Sequence, residues 1–186
     1  EFKRTELKNK HKSLSGWIDT LNLEILIENI TNKNYPRALQ LINKTNQMNL
    51  STRRLTEKEF NNWVSKKNNY MWTMRAKDKF GDYGIISVMY LSKNIHGWTI
   101  DNWVMSCRVF AKSIENAILF SLIKFIKKNK KSYLKTTYII SKKNYLIFDI
   151  LNSLGFSINK KYSKIKSEWI LEKYNAKHSC IIKNEI

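Results

Sequence analysis

Cys107 and Arg108 stand where an apolar stretch, WTIDNWVMSC, runs directly into FAKSIENAI, whose spacing is that of a helix start. A strand that turns into a helix leaves free backbone N–H groups at the helix N-terminus, where the helix dipole also favours an anion. Arg108 and Lys112 add positive charge at this place, Ser113 can cap the helix, and the turn contains no glycine. Ala111 and Ser113 stand where glycines would let a phosphate approach the backbone, so a left-handed backbone at Ser113 would be strained. A thiol beside an arginine and a helix N-terminus is in activating surroundings, which makes Cys107 a candidate nucleophile. The plain alternative is a small core cysteine. Strand alternation puts Asp101, Trp103, Met105 and Cys107 on one face of residues 98–108, and Asn102, Val104, Ser106 and Arg108 on the other.

Other side chains extend this list. Of the six arginines, five (Arg37, Arg53, Arg54, Arg75 and Arg108) lie between residues 37 and 108 of a chain whose basic residues are otherwise lysines. Arginine binds carboxylate or phosphate through a planar fork that lysine lacks, so these positions are candidates for chemistry, with surface ion pairing as the alternative. Arg53 and Arg54 follow a connector rich in amides and hydroxyls (Asn46, Gln47, Asn49, Ser51, Thr52), which reads either as one wall of an acceptor site or as helix caps and turns. Asp82, in the turn DKFGDY with Asp78 and Tyr83, is a candidate general base or only a turn former. Trp63, Trp72, Trp98, Trp103 and Trp169 lie on apolar faces and are expected in the core.

The elements that must position these groups can be traced along the chain. Residues 1–12 are charged and read as a linker or the tail of something upstream. Ser13 caps a short helix, residues 24–30 alternate as a strand, and Pro36 opens a helix through RALQLINKT. The sequence T56-E-K-E59 is a capping box that starts a third helix. Two strands, YMWTMRAK and GIISVMYL, precede the strand 98–108; apolar residues at 114, 118, 119, 122, 123 and 126 then mark one buried helical face. A strand (YLKTTYII), a helix (NYLIFDILNSLGF) and a last strand (EWILEKY) follow, and residues 176–186 read as a tail. This order predicts a single α/β domain over residues 13–175, built on one mixed sheet.

Composition limits the function classes. The chain has 186 residues, 42% of them apolar, and a net charge of +19. That length suits one domain with a real core. No run of about 18 apolar residues and no signal peptide is present, so the expected setting is the cytoplasm. The two cysteines (Cys107, Cys180) and three histidines (His11, His96, His178) have no metal-ligand spacing, and no metal is expected. The charge suggests nucleic acid or another anionic partner, but lysine, asparagine and isoleucine are abundant throughout, and the charge is dispersed.

Five segments resemble the carboxy-terminal half of FkbH-like proteins: QLINKTNQMNLSTRR (40–54), KDKFGDYGIISVM (77–89), SCRVFAKSIE (106–115), KKN (142–144) and LGF (154–156). Those proteins pair a haloacid-dehalogenase-like phosphatase domain with a GNAT-type acyltransferase domain. The resemblance spans roughly residues 13–171. It implies a GNAT-like α/β fold, with a mixed, mostly antiparallel sheet flanked by helices, and transfer of a glyceryl or similar acyl group to an acyl carrier protein. It also implies an upstream phosphatase-like partner domain.

On this resemblance Arg108, Ala111 and Ser113 match the pattern R-x-x-G-x-G/A. The pyrophosphate of coenzyme A, or a pantetheine-arm phosphate, is then expected on the N–H groups of residues 109–114, with Met105, Cys107, Arg108, Val109, Phe110, Ala111, Lys112, Ser113 and Ile114 around it. Asn144 is expected to face the pantetheine. Leu151 stands where many GNAT enzymes carry a tyrosine acid, and Tyr145 is the nearby substitute. The implied site therefore has Cys107, Asp82 and Tyr145 as catalytic candidates, with Cys107 either accepting the acyl group as a thioester or lying beside the thioester being exchanged, and Asn46, Gln47, Asn49, Arg53, Arg54 and Asp101 for substrate. Two other classes stay open: a non-catalytic pantetheine or carrier-docking module, and a basic nucleic-acid-binding domain.

Overall fold

The computed structural model describes residues 14–109, 113–128, 133–171, 174 and 178–185. Phe110, Ala111 and Lys112 of the expected phosphate turn lie outside them. The described elements are α1 (Leu14–Asp19), β1 (Glu24–Asn29), α2 (Tyr35–Lys44), β2 (Met48–Asn49), α3 (Glu57–Val64), β3 (Asn69–Asp78), β4 (Gly81–Lys93), β5 (Trp98–Met105), α4 (Ile114–Lys128), β6 (Leu134–Ile139), α5 (Ile147–Ser153), β7 (Phe156–Lys161), β8 (Lys166–Leu171) and β9 (Ile181–Glu185).

Local signals account for most of them. Pro36 sits in the first turn of α2, where its missing N–H costs nothing, and Ala38, Leu41 and Ile42 bury one face at helical spacing. Both halves of the capping box form at α3, with Thr56 Oγ1 accepting from Glu59 N and the Glu59 carboxylate from Thr56 N. α4 buries Ile114, Ala117, Ile118, Leu119, Leu122 and Ile126.

The strands form one sheet in the order β7-β8-β6-β5-β4-β3-β1-β9, and β2 pairs with β5 off that path. The β1–β9 and β5–β6 pairs are parallel and the others antiparallel. One core holds α4 against Trp72, Trp98 and Trp103. Another holds α2 and α3 against Ile85, Val88, Tyr90 and Val104. Trp72, Trp98, Trp103 and Trp169 are fully buried, whereas Trp63 is partly exposed.

The structure differs from the sequence expectation in four places. Residues 48–49, expected in a connector, form a strand, and residues 156–161 add a strand after α5. The segment expected as a tail contributes β9 to the sheet edge beside β1. The fourth difference is in β5. Tyr90 pairs with Asn102 but Leu91 pairs with Ile100, so Asp101 is the extra residue of a β-bulge and the alternation restarts there. Trp103 and Met105 join the α4 core, while Asn102 and Val104 lie on the side of Tyr90. Asp101 is held by Ser92 instead of sharing their face.

Candidate functional site

The site is built around a divergence in the sheet. β5 and β6 pair in parallel from Trp98–Leu134 to Ile100–Thr136 only. Past that point the described chain segment Met48–Ser51 lies between them. Met48 and Asn49 pair antiparallel with Met105 and Val104. Leu50 N donates to Trp103 O at 3.2 Å, and on the other side Leu50 O accepts from Ile139 N at 2.9 Å. Ser51 N donates to Asn102 Oδ1 at 3.0 Å. The segment is thus hydrogen-bonded to both strands, as a further strand would be.

Buried amides lock it there. Asn102 Nδ2 donates to Asn49 Oδ1 and to Tyr90 Oη, both at 3.0 Å. Asn144 Nδ2 donates to Asn49 O and Ile139 O, both at 2.9 Å, and Asn144 Oδ1 accepts from Ser141 N. Asn49 Nδ2 reaches Thr45 O at 3.1 Å. Asn49, Asn102 and Asn144 have no exposed surface, and their side-chain partners are protein groups, which is the condition under which buried amides stabilise a fold. Burial pushes the Tyr90 hydroxyl up to about 12, so it stays protonated within this network. Met48 and Leu50 are also fully buried and belong to the α4 core. Withdrawing both into water would cost about 3–6 kcal/mol, at about 1.5–3 kcal/mol each.

Arg54 fastens the segment at its exposed ends. Its guanidinium donates to Ile42 O at 2.7 Å and Thr45 O at 2.8 Å, carbonyls at the C-terminus of α2, and to Asn46 Oδ1. Thr52, just past the segment, has a left-handed backbone at φ 54°. Arg53 points elsewhere and pairs with Glu59 at 3.5 Å on the surface.

At the end of β5 the chain makes one 3₁₀ turn, Cys107–Val109, before α4. Ser106 N donates to Ile86 O at 2.8 Å, Val109 N to Ser106 O at 3.2 Å, and Arg108 Nε to Ser106 Oγ at 3.3 Å. Val109 and Ile114 are buried and fix the two ends of the turn in the core. Ser113 has φ 57°, the left-handed conformation that glycine adopts freely. Cys107 is exposed, which removes the core-cysteine alternative, and it lies in the turn beyond the strand face assigned to it from sequence. The buried cysteine is Cys180, whose thiol burial pushes up to about 12.

A cleft of about 700 Å³ opens beside this turn. Met105, Ser106 and Cys107 form one wall, Thr45, Asn46 and Gln47 another, and Tyr145 stands on its rim, 60% exposed. Arg37 and Lys44 of α2 and Lys142 and Lys143 of the β6–α5 connection bring four cations to it, and no carboxylate is among its described lining residues.

The expected site residues therefore divide. Met105, Cys107, Tyr145, Asn46 and Gln47 come together at the cleft. Asn49, Asn144 and Arg54 are engaged in holding the inserted segment. Asp82 is not brought to the cleft: it lies on β4 four residues from Ile86, roughly 13 Å of extended chain, and binds Arg75 at 2.9 Å. The Gly84 N–H, then Arg75, hold its carboxyl below the usual range, so it is a poor proton acceptor. Asp101 is mostly buried at its bulge, and burial raises its pKa against the hydrogen bonds from Ser92. The lysines of the cleft were not among the expected site residues; Arg37, singled out as a persistent arginine, and KKN at 142–144 were their only sequence signals.

No family model and no curated protein matches this sequence. Solved structures do resemble its fold. A domain from Methanocaldococcus jannaschii superposes with a TM-score of 0.63 at 16% identity, covering 80% of this chain and 97% of that one. The ribosomal-protein-S18-alanine N-acetyltransferase of Escherichia coli gives 0.59 at 12% identity, covering 81% and 96%. The spermidine N-acetyltransferase of Vibrio cholerae, solved with CoA and spermine, gives 0.57 at 10% identity, covering 79% and 94%. The chain has the GNAT fold; its described residues form a mixed and mostly antiparallel nine-stranded sheet with five helices.

Proposed function

We propose that this chain is a GNAT-type acyltransferase domain that takes an acyl thioester of coenzyme A, or of a carrier-protein pantetheine arm, and transfers its acyl group. The observation that carries this is the end of β5. There a left-handed residue, Ser113, starts α4, an exposed thiol, Cys107, precedes it, and a cleft with four cations opens alongside. The left-handed backbone and the helix start suit a phosphate, and the cations suit the same charge. Structural neighbours with this fold, solved with CoA or acetyl coenzyme A, support the cofactor class.

Coenzyme A or a pantetheine arm would supply the activated acyl carbonyl as a thioester. The residues of this chain bind it, orient it and move protons. Arg108 and the backbone N–H groups that open α4 hold phosphate, and the strand end at Met105–Ser106 fixes the direction of approach. Cys107 acts as the acyl acceptor: its sulfur bonds to the carbonyl carbon, the donor sulfur leaves, and the thiol proton passes to it. Tyr145, exposed on the rim, would relay that proton, giving its own phenolic proton to the leaving sulfur as it takes the one from Cys107. A second nucleophile then takes the acyl group and frees the thiol. We propose an acyl carrier protein as the partner and a glyceryl-like group as the acyl cargo, on the resemblance to FkbH-like proteins, with a phosphatase-like domain as companion.

The test is intact-mass analysis after incubation with acetyl coenzyme A. A single added acetyl group that is lost in Cys107→Ser supports acyl transfer through the thiol; an adduct that persists in the variant removes Cys107 from the mechanism. A second reading has its own observation. Asn144, expected to face a pantetheine arm, instead holds Asn49 inside the sheet. A chain whose arm-binding groups are already engaged fits a non-catalytic module that docks the carrier protein and not its arm, and absence of both adduct and turnover would favour it.

A further inference from the structure

The space between β5 and β6 and the cleft at its mouth are two separate places for an extended, amide-bearing ligand, and they exclude each other as a route into the sheet. Between the strands, the N–H and C=O groups of Leu50 and the side chains of Asn102 and Asn144 already have partners within this chain. For a ligand to enter, Met48 and Leu50 must leave the core, which corresponds to roughly 10²- to 10⁴-fold in apparent affinity. The cleft requires no such rearrangement. Arg37, Lys44, Lys142 and Lys143 line it, together with the exposed Cys107.

We infer that residues Met48–Ser51 are a permanent strand of the sheet, and that the phosphate-bearing arm of the thioester binds outside the sheet, along the cleft lined by Arg37, Lys44, Lys142 and Lys143. This rests on the acyl-thioester reading above and gives that reading a location. The ligand class is an anionic, extended chain ending in a thioester. Its phosphate lies between the start of α4 with Arg108 and these cations, and its carbonyl comes to Cys107 from the α2 side. Arg37 adds weight to the assignment because arginine, unlike lysine, is rare in this chain.

The experiment uses the whole chain and coenzyme A itself as the probe. Calorimetric titration compares Lys44→Glu/Lys143→Glu with Lys66→Glu/Lys67→Glu, a pair with the same change of net charge beside the opposite end of the sheet. We expect the cleft pair to weaken coenzyme A by about 10-fold or more and the distant pair by less than about 3-fold. Hydrogen exchange at saturating coenzyme A is expected to leave the Leu50 and Ser51 amides as protected as in the free protein. Equal weakening by the two pairs, or no measurable binding, overturns the cleft. Loss of protection at Leu50 and Ser51 overturns the permanent strand. Coenzyme A held in the cleft with no acyl transfer leaves this site standing and sinks the acyltransferase reading; transfer with the strand displaced does the reverse.

Discussion

Ser113 carries a left-handed backbone that a side chain adopts only at a cost, and it does so at the first residue before α4. Single non-glycine residues in this conformation lose about 1–2 kcal/mol relative to their ordinary conformations. Ser113→Gly should therefore raise the unfolding free energy in urea by about 1 kcal/mol, and it should also tighten coenzyme A, since glycine lets phosphate approach the turn. A stability gain without tighter binding would show that the turn is strained but holds no phosphate. Asp101 gives a second residue-level expectation, this time in pH. Burial is the main cause of its raised pKa, so the fold disfavours its charged form. Its stabilising contribution is complete below the ordinary aspartate range and is lost as pH rises through the folded pKa. Asp101→Asn should thus raise the thermal midpoint at pH 8 and do much less at pH 4. Equal gains at both would mean that the charge is not the cause.

The element with most consequence is the shortest, the two residues of β2 with the two that follow. Asn144 is its main clamp, joining Asn49 O, Ile139 O and Ser141 N across segments far apart in sequence. Asn144→Leu leaves these buried groups without partners, at a cost of about 2–4 kcal/mol in urea unfolding. A loss under about 1 kcal/mol would show that the segment is held by its backbone pairing alone. Elements with strong local signals were legible in the sequence: the capping box of α3, the proline start of α2, the apolar face of α4 and the hairpin of β3 and β4. β2 was not, because its segment is amide-rich and Met48 and Asn49 pair with the distant Met105 and Val104. β7 buries only Phe156 fully among its residues and so shows no apolar alternation. The Asp101 bulge depends on the register of two strands, which single-strand alternation cannot express. For the site the same division holds. The turn at 106–113 could be located from the strand-to-helix junction, but the roles of Asn49, Asn144 and Arg54 depend on tertiary partners: the sequence leaves Asn49 and Arg54 between an acceptor-site wall and caps, turns or ion pairs, and Asn144 is expected to face a pantetheine only through the resemblance.

At the scale of the whole molecule, the net charge of +19 acts on every anion in solution, so attraction alone identifies no ligand. None of the described helices is long and apolar enough to cross a membrane. Described ion pairs at the surface, such as Arg53–Glu59 and Arg75–Asp82, and the half-buried Lys135–Glu168 take up little of that charge. What separates a site from a charged surface is the steepness of its salt dependence. A nucleic acid bound through 6–10 phosphate contacts loses about 10³- to 10⁵-fold in affinity between 50 and 200 mM salt. A small ligand held by one cleft makes fewer such contacts and also has directional bonds at the turn, so coenzyme A should lose less than about 10-fold over the same range. Titration of coenzyme A and of a single-stranded oligonucleotide at both salt concentrations tests this directly. A shallow dependence for coenzyme A and a steep one for the oligonucleotide is the expected pair of results. If coenzyme A falls as steeply as the oligonucleotide, its binding is the diffuse pull of the lysines, and the turn and cleft have no special claim on it.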